Sequence, residues 1–380
     1  MLEVKRQLHI LPVHVIDPYA DQEEAVNIGE ELESLIATLG GKITDRVIQK
    51  MEKPNSATYI GRGKVQEVAK MLKEQEIDVV VLNAMVKPRQ VHALKTQLQK
   101  AKPDIEVWDR VDLILQIFDK HATTQEAKLQ IELARMNYMG PRIYGMGHVM
   151  SRQGGGIGTS GVGETNTELM KRHWRDEKKK ITDQLAKISK SRQQQLDQRK
   201  RAGFKTVSIV GYTNAGKSSL FNILTGKGKL VQNVLFATLD SSVGKMYIED
   251  LHTEVLITDT IGFIRDLPPL LISAFKSTLM ESIHADVLLH VIDVSDREVA
   301  TKIDVVMEIL QELGRDTNDV VYIFNKIDAA PDVDKQLLLE KYAHFSPLFI
   351  SVKKERGIAE VKECIKDSLV NDKIKNLTQI

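Results

Sequence analysis

One cysteine, Cys364, is all that 380 residues contain, which excludes an internal disulfide framework and any cysteine-built zinc site. Val361, Ile365 and Leu369 flank it at helical spacing and give it a packing role. No run approaches the ~20 apolar residues of a membrane span. The first residues, Met1-Leu2-Glu3-Val4-Lys5-Arg6, lack the apolar core of a signal peptide, so the cytoplasm is the expected compartment. Charge of one sign is missing too: 53 Lys and Arg stand against 52 Asp and Glu, so the overall balance names no partner and any basic surface must be local. No internal repeat stands out. A chain 42% hydrophobic and 28% charged of this length fits a soluble protein of two or three domains.

What is there falls into three regions and a tail. Residues 1–120 alternate strand and helix patterns. His9 to Ile16, Asp78 to Leu82 and Ile105 to Trp108 read as strands; Ala25, Ile28, Leu32, Leu35, Ile36 and Leu39, then Val91, Leu94 and Leu98, fall at helical spacing. Such alternation implies an α/β layer with a partly parallel sheet. Residues 121–201 carry two helical stripes, Leu129, Leu133 and Met136, then Trp174, Ile181, Leu185 and Ile188, the second spaced like a short coiled coil. They predict a helical hairpin. Between the stripes, Gly140 to Gly163 holds nine glycines and reads as a long loop, a kind that is usually functional or disordered. Strand–helix alternation returns over 202–369, and 370–380 reads as a polar tail.

The most specific string lies in the third region. Gly211-Tyr212-Thr213-Asn214-Ala215-Gly216-Lys217-Ser218 is a full G-x-x-x-x-G-K-[ST] phosphate loop. It follows a β-rich run, Thr206 to Val210, and precedes a helical pattern from Ser219. A glycine turn opening a helix aims backbone N–H groups at phosphate oxygens. Lys217 is expected to reach the β- and γ-phosphates and the Ser218 hydroxyl to ligate Mg²⁺. Farther on, the apolar strand Val255-Leu256-Ile257 leads into Asp259-Thr260-Ile261-Gly262. Asp259 is expected to hold Mg²⁺ through water, and the Gly262 N–H to sense the γ-phosphate. Between these motifs, Phe236-Ala237-Thr238-Leu239-Asp240 supplies Thr238, which would complete the Mg²⁺ shell in the triphosphate state.

Guanine is read from Asn325-Lys326-Ile327-Asp328, after the strand-like Val320 to Phe324. The Asp328 carboxylate can accept from guanine N1–H and the 2-amino group together. Adenine lacks that amino group and presents a lone pair at N1, and each such buried failure costs about 1–3 kcal/mol. The Lys326 stem can lie across the ring, Asn325 can tie this loop to the phosphate loop, and Ser351-Val352-Lys353 fits a last base-contacting loop by position. In this order the elements make a G domain: a P-loop GTPase domain preceded by an α/β N-terminal domain and a helical hairpin. Catalysis is expected to rest on Lys217, Gly262 and Thr238.

The combination resembles the HflX family of ribosome-associated GTPases across nearly the whole chain. The matching strings are Gly211 to Asn222, Phe236 to Asp240 and Asp259 to Arg265 in the G domain. In the middle region they are Lys128 to Ala134, Gly155 to Gly158 and Gly161 to Thr165, with Tyr59-Ile60-Gly61-Arg62-Gly63-Lys64 near the N-terminus. The resemblance implies binding to the large ribosomal subunit near the peptidyl-transferase region, GTP-driven subunit dissociation and ribosome rescue under stress. Val352 departs from the commoner alanine, and the extra C-terminal domain of longer relatives has no counterpart in this sequence. Related GTPases also use an asparagine at the Asn214 position to coordinate K⁺ beside the phosphates.

An RNA partner has its own support. Residues 171–201 hold twelve Lys and Arg against four Asp and Glu, so this helix could lie along phosphates. Lys171, Arg172, Arg175, Lys178, Lys179 and Lys180, with Arg142, His148 and Arg152 of the glycine stretch, are the candidate contacts. A monomer is expected. Phe263 follows Gly262 where many GTPases carry a water-orienting glutamine, which predicts slow hydrolysis alone and stimulation by a partner. Two other readings stay open: a switch that binds a protein effector without RNA, and nucleotide-dependent RNA remodelling by the N-terminal region. Gly156-Ile157-Gly158-Thr159-Ser160-Gly161 matches a dinucleotide fingerprint only literally, because no strand precedes it.

Overall fold

The computed structural model describes residues 6–153, 162–227, 235–236, 242–265, 267–268, 271–272, 279 and 283–377. Two compact units divide the chain, Met1–Lys120 with Ile131–Asp183, and His121–Gln130 with Gln184–Ile380. In the first, strand β1 (His9–Ile16) pairs with β2 (Lys42–Ile43), β3 (Val47–Lys50) and β4 (Val79–Leu82), and β4 pairs with β5 (Glu106–Asp109). Every pairing is parallel. All four residues of β4, Val-Val-Val-Leu, are buried, as a parallel strand covered on both faces requires. Helices α1 (Gln22–Leu39), α2 (Arg62–Glu74) and α3 (Pro88–Leu98) connect the strands, and α4 (Arg110–His121) follows β5. The Tyr59–Lys64 string serves packing: Tyr59 is buried, its hydroxyl pushed up to about 12 by desolvation, and the Gly61 N–H before α2 donates to Gln49 Oε1 at 2.9 Å.

Helices α5 (Gln125–Gln153) and α6 (Val162–Arg201) form the middle region. The expected loop from Gly140 needs correction. Helix α5 continues through Gly140, Pro141, Gly145 and Gly147 to Gln153, and α6 already includes Val162 and Gly163. Isolated glycines cost a helix only ~1 kcal/mol each, too little to end one among Met, Arg and Val neighbours. The denser glycines of 154–161, with the literal dinucleotide string, lie outside the described residues; what precedes them is helix, not strand. Of the two stripes, Leu129, Met136 and Ile181 are buried, and Leu133, Trp174, Leu185 and Ile188 half-buried. Trp174 Nε1 donates to Met136 O at 3.3 Å, and Arg192 pairs with Glu126 at 3.1 Å.

The second unit holds a six-stranded sheet in the order β11 (Leu348–Phe349), β10 (Val320–Asn325), β9 (Val287–Asp293), β6 (Lys205–Val210), β8 (Thr253–Asp259) and β7 (Ser242–Ile248), with β7 alone antiparallel. Its helices are α7 (Lys217–Thr225), α8 (Val299–Glu312), α9 (Lys335–Lys341) and α10 (Ile358–Leu377). Helix α10 runs on through 370–377, which the sequence presents as tail. Ile209, Leu220, Ile257, Leu289, Ile323, Val361 and Ile365 build the core, and the partly buried Cys364 packs on it. Strand order reverses at β6, and in open α/β sheets ligands bind beyond the carboxyl ends at such a point.

His290 on β9 is 1% exposed and meets Tyr322 edge-on at 5.1 Å between ring centres. Burial, aided by the Lys217 charge, pushes its imidazole down to about 3. The ring is therefore neutral in the folded protein. Its contribution is fully present above an unfolded value near 6.5 and is lost as pH falls from there toward 3, at about 1.4 kcal/mol per pH unit. Chemical unfolding at pH 7 and pH 4.5 should show the native chain losing roughly 2–3 kcal/mol more than His290→Leu. Equal losses would contradict this.

Candidate nucleotide site

Four strands of the second sheet, β6, β8, β9 and β10, end at one place, in Val210, Asp259, Asp293 and Asn325. The phosphate loop follows β6. Gly211 and Gly216 have φ of 148° and 100°, and a Cβ on either would lie 2.2 Å from Val291 O or from Asn325 Nδ2. No other residue type fits so close an approach. Helix α7 opens at Lys217, which is buried and donates from Nζ to Tyr212 O at 2.7 Å. Burial pushes its ammonium down to about 8, with the Asp259 carboxylate pulling the other way. Ser218 Oγ donates to Asp259 Oδ2 at 2.8 Å. A hydroxyl and a carboxylate oxygen brought this close form the hard oxygen set that a small divalent cation takes. Asn214 is exposed at φ 62° on the loop, and Ser219 is half-buried in the first turn of α7.

Asn325 joins three loops. Its Nδ2 donates to Ala215 O at 2.9 Å, and its Oδ1 accepts from the Val352 N–H at 3.1 Å. The phosphate loop, the Asn-Lys-x-Asp loop and the Ser351–Lys353 loop are thus fastened through one buried amide. Ser351 Oγ donates to Asp328 Oδ1 at 2.6 Å, a bond that holds the Asp328 carboxyl below its usual range. Lys326 adopts φ 66° and pairs through Nζ with Asp293 Oδ2 at 2.6 Å. Ile327 donates its N–H to Ile350 O at 3.3 Å.

The second switch begins at the end of β8. The Thr260 hydroxyl turns inward to Ile209 O at 2.8 Å, and Ile261 is buried. Phe263 is fully buried; its N–H donates to Gly211 O at 3.2 Å, and its carbonyl accepts from Thr213 N–H at 2.8 Å. Arg265 N–H donates to the Tyr212 hydroxyl at 2.6 Å, and its guanidinium pairs with Glu298 at 2.8 Å. Of the first switch, Phe236 is buried at φ 56°, whereas Ala237, Thr238, Leu239 and Asp240 lie outside the described residues. Arg142, His148 and Arg152 belong to α5, not to a loop, and their side chains are likewise outside the description. Lys171, Arg172, Arg175, Lys178, Lys179 and Lys180 are exposed on α6.

Sequence reasoning missed Asp293, the Tyr212 hydroxyl, Glu298 and the Ser351–Asp328 bond. Asp293 alone left a signal, as a carboxylate closing the apolar run from Val287 in the way Asp259 closes β8.

A phosphate loop, a strand-end carboxylate and an Asn-Lys-x-Asp loop on the carboxyl edge of one sheet define a guanine-nucleotide-binding P-loop domain. Residues 206–326 match the family model described as 50S ribosome-binding GTPase, residues 27–119 that of the GTP-binding GTPase N-terminal region, and 121–199 that of the GTP-binding GTPase middle region. GTPase HflX of Caldanaerobacter subterraneus subsp. tengcongensis is 40% identical over 93% of this chain and 78% of its own length. That of Escherichia coli is 34% identical over 94% and 82%. The chain belongs to the HflX family and is a GTPase. Its fold is similar to that of a GTP-binding protein from Sulfolobus solfataricus in complex with GDP, at 25% identity and a TM-score of 0.51 over 95% of this chain and 99% of that one. A second structure, of SsGBP with GDP, gives 27% identity and a TM-score of 0.53 over 95% and 98%. Among the described residues, no helix is long and apolar enough to cross a membrane.

Proposed function

We propose that this GTPase works on the large ribosomal subunit and uses its GTP cycle to dissociate or rescue ribosomes under stress. The observation that carries the reading is the row of exposed cations on α6, Lys171, Arg172, Arg175, Lys178, Lys179 and Lys180. Residues 171, 175, 178 and 179 share one helical face, and such a face follows an RNA backbone with salt-dependent affinity. The match to a model described as 50S ribosome-binding GTPase supports the same partner. Helix α5 would carry Arg142, His148 and Arg152 toward the RNA.

In the nucleotide site, Lys217 and the loop N–H groups would bind the β- and γ-phosphates, and Asp328 with Ser351–Lys353 the base. Ser218, Thr238 and, through water, Asp259 would hold Mg²⁺, which neutralises phosphate charge. Asn214 would take K⁺; equal hydrolysis rates in K⁺ and Na⁺ buffers would remove that role. With Phe263 in place of a glutamine, hydrolysis would be slow alone and faster on the ribosome.

Neutralising the six α6 cations together should abolish co-sedimentation with large subunits and leave GTP hydrolysis by the free protein unchanged. A variant that still sediments at wild-type salt dependence would sink the RNA-facing reading. Partner association that survives RNase would favour a protein effector, and ATP binding by the full chain in the presence of saturating GTP would favour the N-terminal remodelling role.

A further inference from the structure

Phe263 leaves hydrolysis without the usual water-orienting group, and the structure shows why it cannot be recruited. Its ring is fully buried, and its backbone is bonded on both sides to Gly211 and Thr213. Exposing such a side chain returns apolar surface to water and would present no polar atom in return. The attacking water needs another partner at the γ-phosphate end of the loop.

Gly262 marks that end. A Cβ built on it would lie 2.7 Å from Thr213 Cγ2, 2.9 Å from Thr213 Cα and 3.0 Å from Lys217 Nζ. Thr213 therefore touches the γ-phosphate-sensing glycine and neighbours the phosphate-binding lysine. Its side chain carries a hydroxyl whose Oγ1 is buried and has no hydrogen-bond partner among the described residues. A buried hydroxyl without a hydrogen bond is destabilising, a cost removed when a partner arrives from outside the protein. Thr213 also borders a cavity of about 20 Å³ with Tyr212, His290, Asp293 and Lys302. One water needs about 10–15 Å³. His290, which lines the same cavity, also has a buried atom, Nδ1, without a partner among the described residues.

We propose that the Thr213 hydroxyl orients the attacking water in GTP hydrolysis. The water oxygen forms its bond to the γ-phosphorus as the bond to the β–γ bridging oxygen breaks; that oxygen leaves with GDP, one proton of the water stays on the new phosphate hydroxyl and the other passes to a phosphate oxygen, so that inorganic phosphate carries both. Thr213 fixes the direction of attack by one hydrogen bond and takes no proton itself. The proposal rests on the GTPase assignment and not on the ribosome reading, so it is tested without ribosomes.

The test is single-turnover hydrolysis by the full chain carrying Thr213→Val, Thr213→Ala or Thr213→Ser, with affinities for GDP and a non-hydrolysable GTP analogue measured for each. Valine keeps the shape and the methyl contact with Gly262 and removes only the hydroxyl; alanine removes it with less bulk. Valine and alanine should slow hydrolysis about tenfold to a hundredfold, serine should restore most of the rate, and all affinities should stay within about twofold of the native chain. Native rates in both hydroxyl-free variants overturn the proposal. So does a loss in which GDP affinity falls with the rate, which marks a structural role. A loss confined to analogue affinity with the rate intact makes Thr213 a phosphate contact and overturns it as well.

Discussion

Asp328→Asn should cost this protein at least a hundredfold in GTP affinity and make it bind xanthosine triphosphate instead. The carboxylate would accept two hydrogen bonds from guanine, each to a charged group and each worth about 1.5–3 kcal/mol. Together they amount to roughly 3–6 kcal/mol, or two to four powers of ten in affinity. An amide offers one acceptor and one donor, and its donor meets the guanine 2-amino group head-on. Xanthine carries a carbonyl at that position, which the amide can satisfy. The Ser351 hydroxyl, which donates to Asp328 Oδ1 at 2.6 Å, can donate equally to the amide oxygen, so the loop should keep its shape. Competition binding of GTP and xanthosine triphosphate to the native and variant chains checks this. Unchanged GTP affinity in the variant would mean that Asp328 does not read the base.

Asn325→Ala is expected to damage stability and binding together. Its amide is buried and satisfies Ala215 O and the Val352 N–H at 2.9 and 3.1 Å. Truncation leaves two backbone groups unpaired at about 1–3 kcal/mol each, besides a cavity. The expected loss is about 3–5 kcal/mol, or roughly 10 °C in the melting of the second unit. GDP affinity should fall at least about a hundredfold, since both the phosphate loop and the base loop lose their common fastening. Differential scanning calorimetry with and without GDP reads both effects. A variant that melts normally and binds GDP normally would show that the three loops are held by other means.

The site was legible where its chemistry is local in the chain. The loop from Gly211 to Ser218 needs its residue types at fixed spacing because backbone N–H groups, a lysine and a hydroxyl must meet one phosphate chain. The same holds for Asp259 at the end of an apolar strand. What escaped was pairwise and distant. Nothing near Asp293 announces Lys326, and nothing near Tyr212 announces Arg265, because the folding of four strand ends onto one edge brings those partners together. Position in the chain points to Ser351 as part of a base-contacting loop, but nothing near it announces the bond of its hydroxyl to Asp328. The alternation of strand and helix showed the α/β layers, yet β2 and β3, at two and four residues, are too short for periodicity to register. Over 140–153 the glycine count outweighed a helical pattern that the chain keeps through Gln153. Phe263 was legible as a missing glutamine, but only its burial and its bonds to Gly211 and Thr213 show that the second switch is moored to the phosphate loop.

The central claim, a GTPase that a ribosomal RNA surface activates, is tested most directly by GTP hydrolysis of the purified chain, alone and with purified large ribosomal subunits, at low and high salt. A large stimulation that fades as salt rises is the expected result, because docking through the α6 cations releases counterions. Tight GTP binding without any stimulation would contradict the claim and leave a GTP-dependent switch for a protein effector.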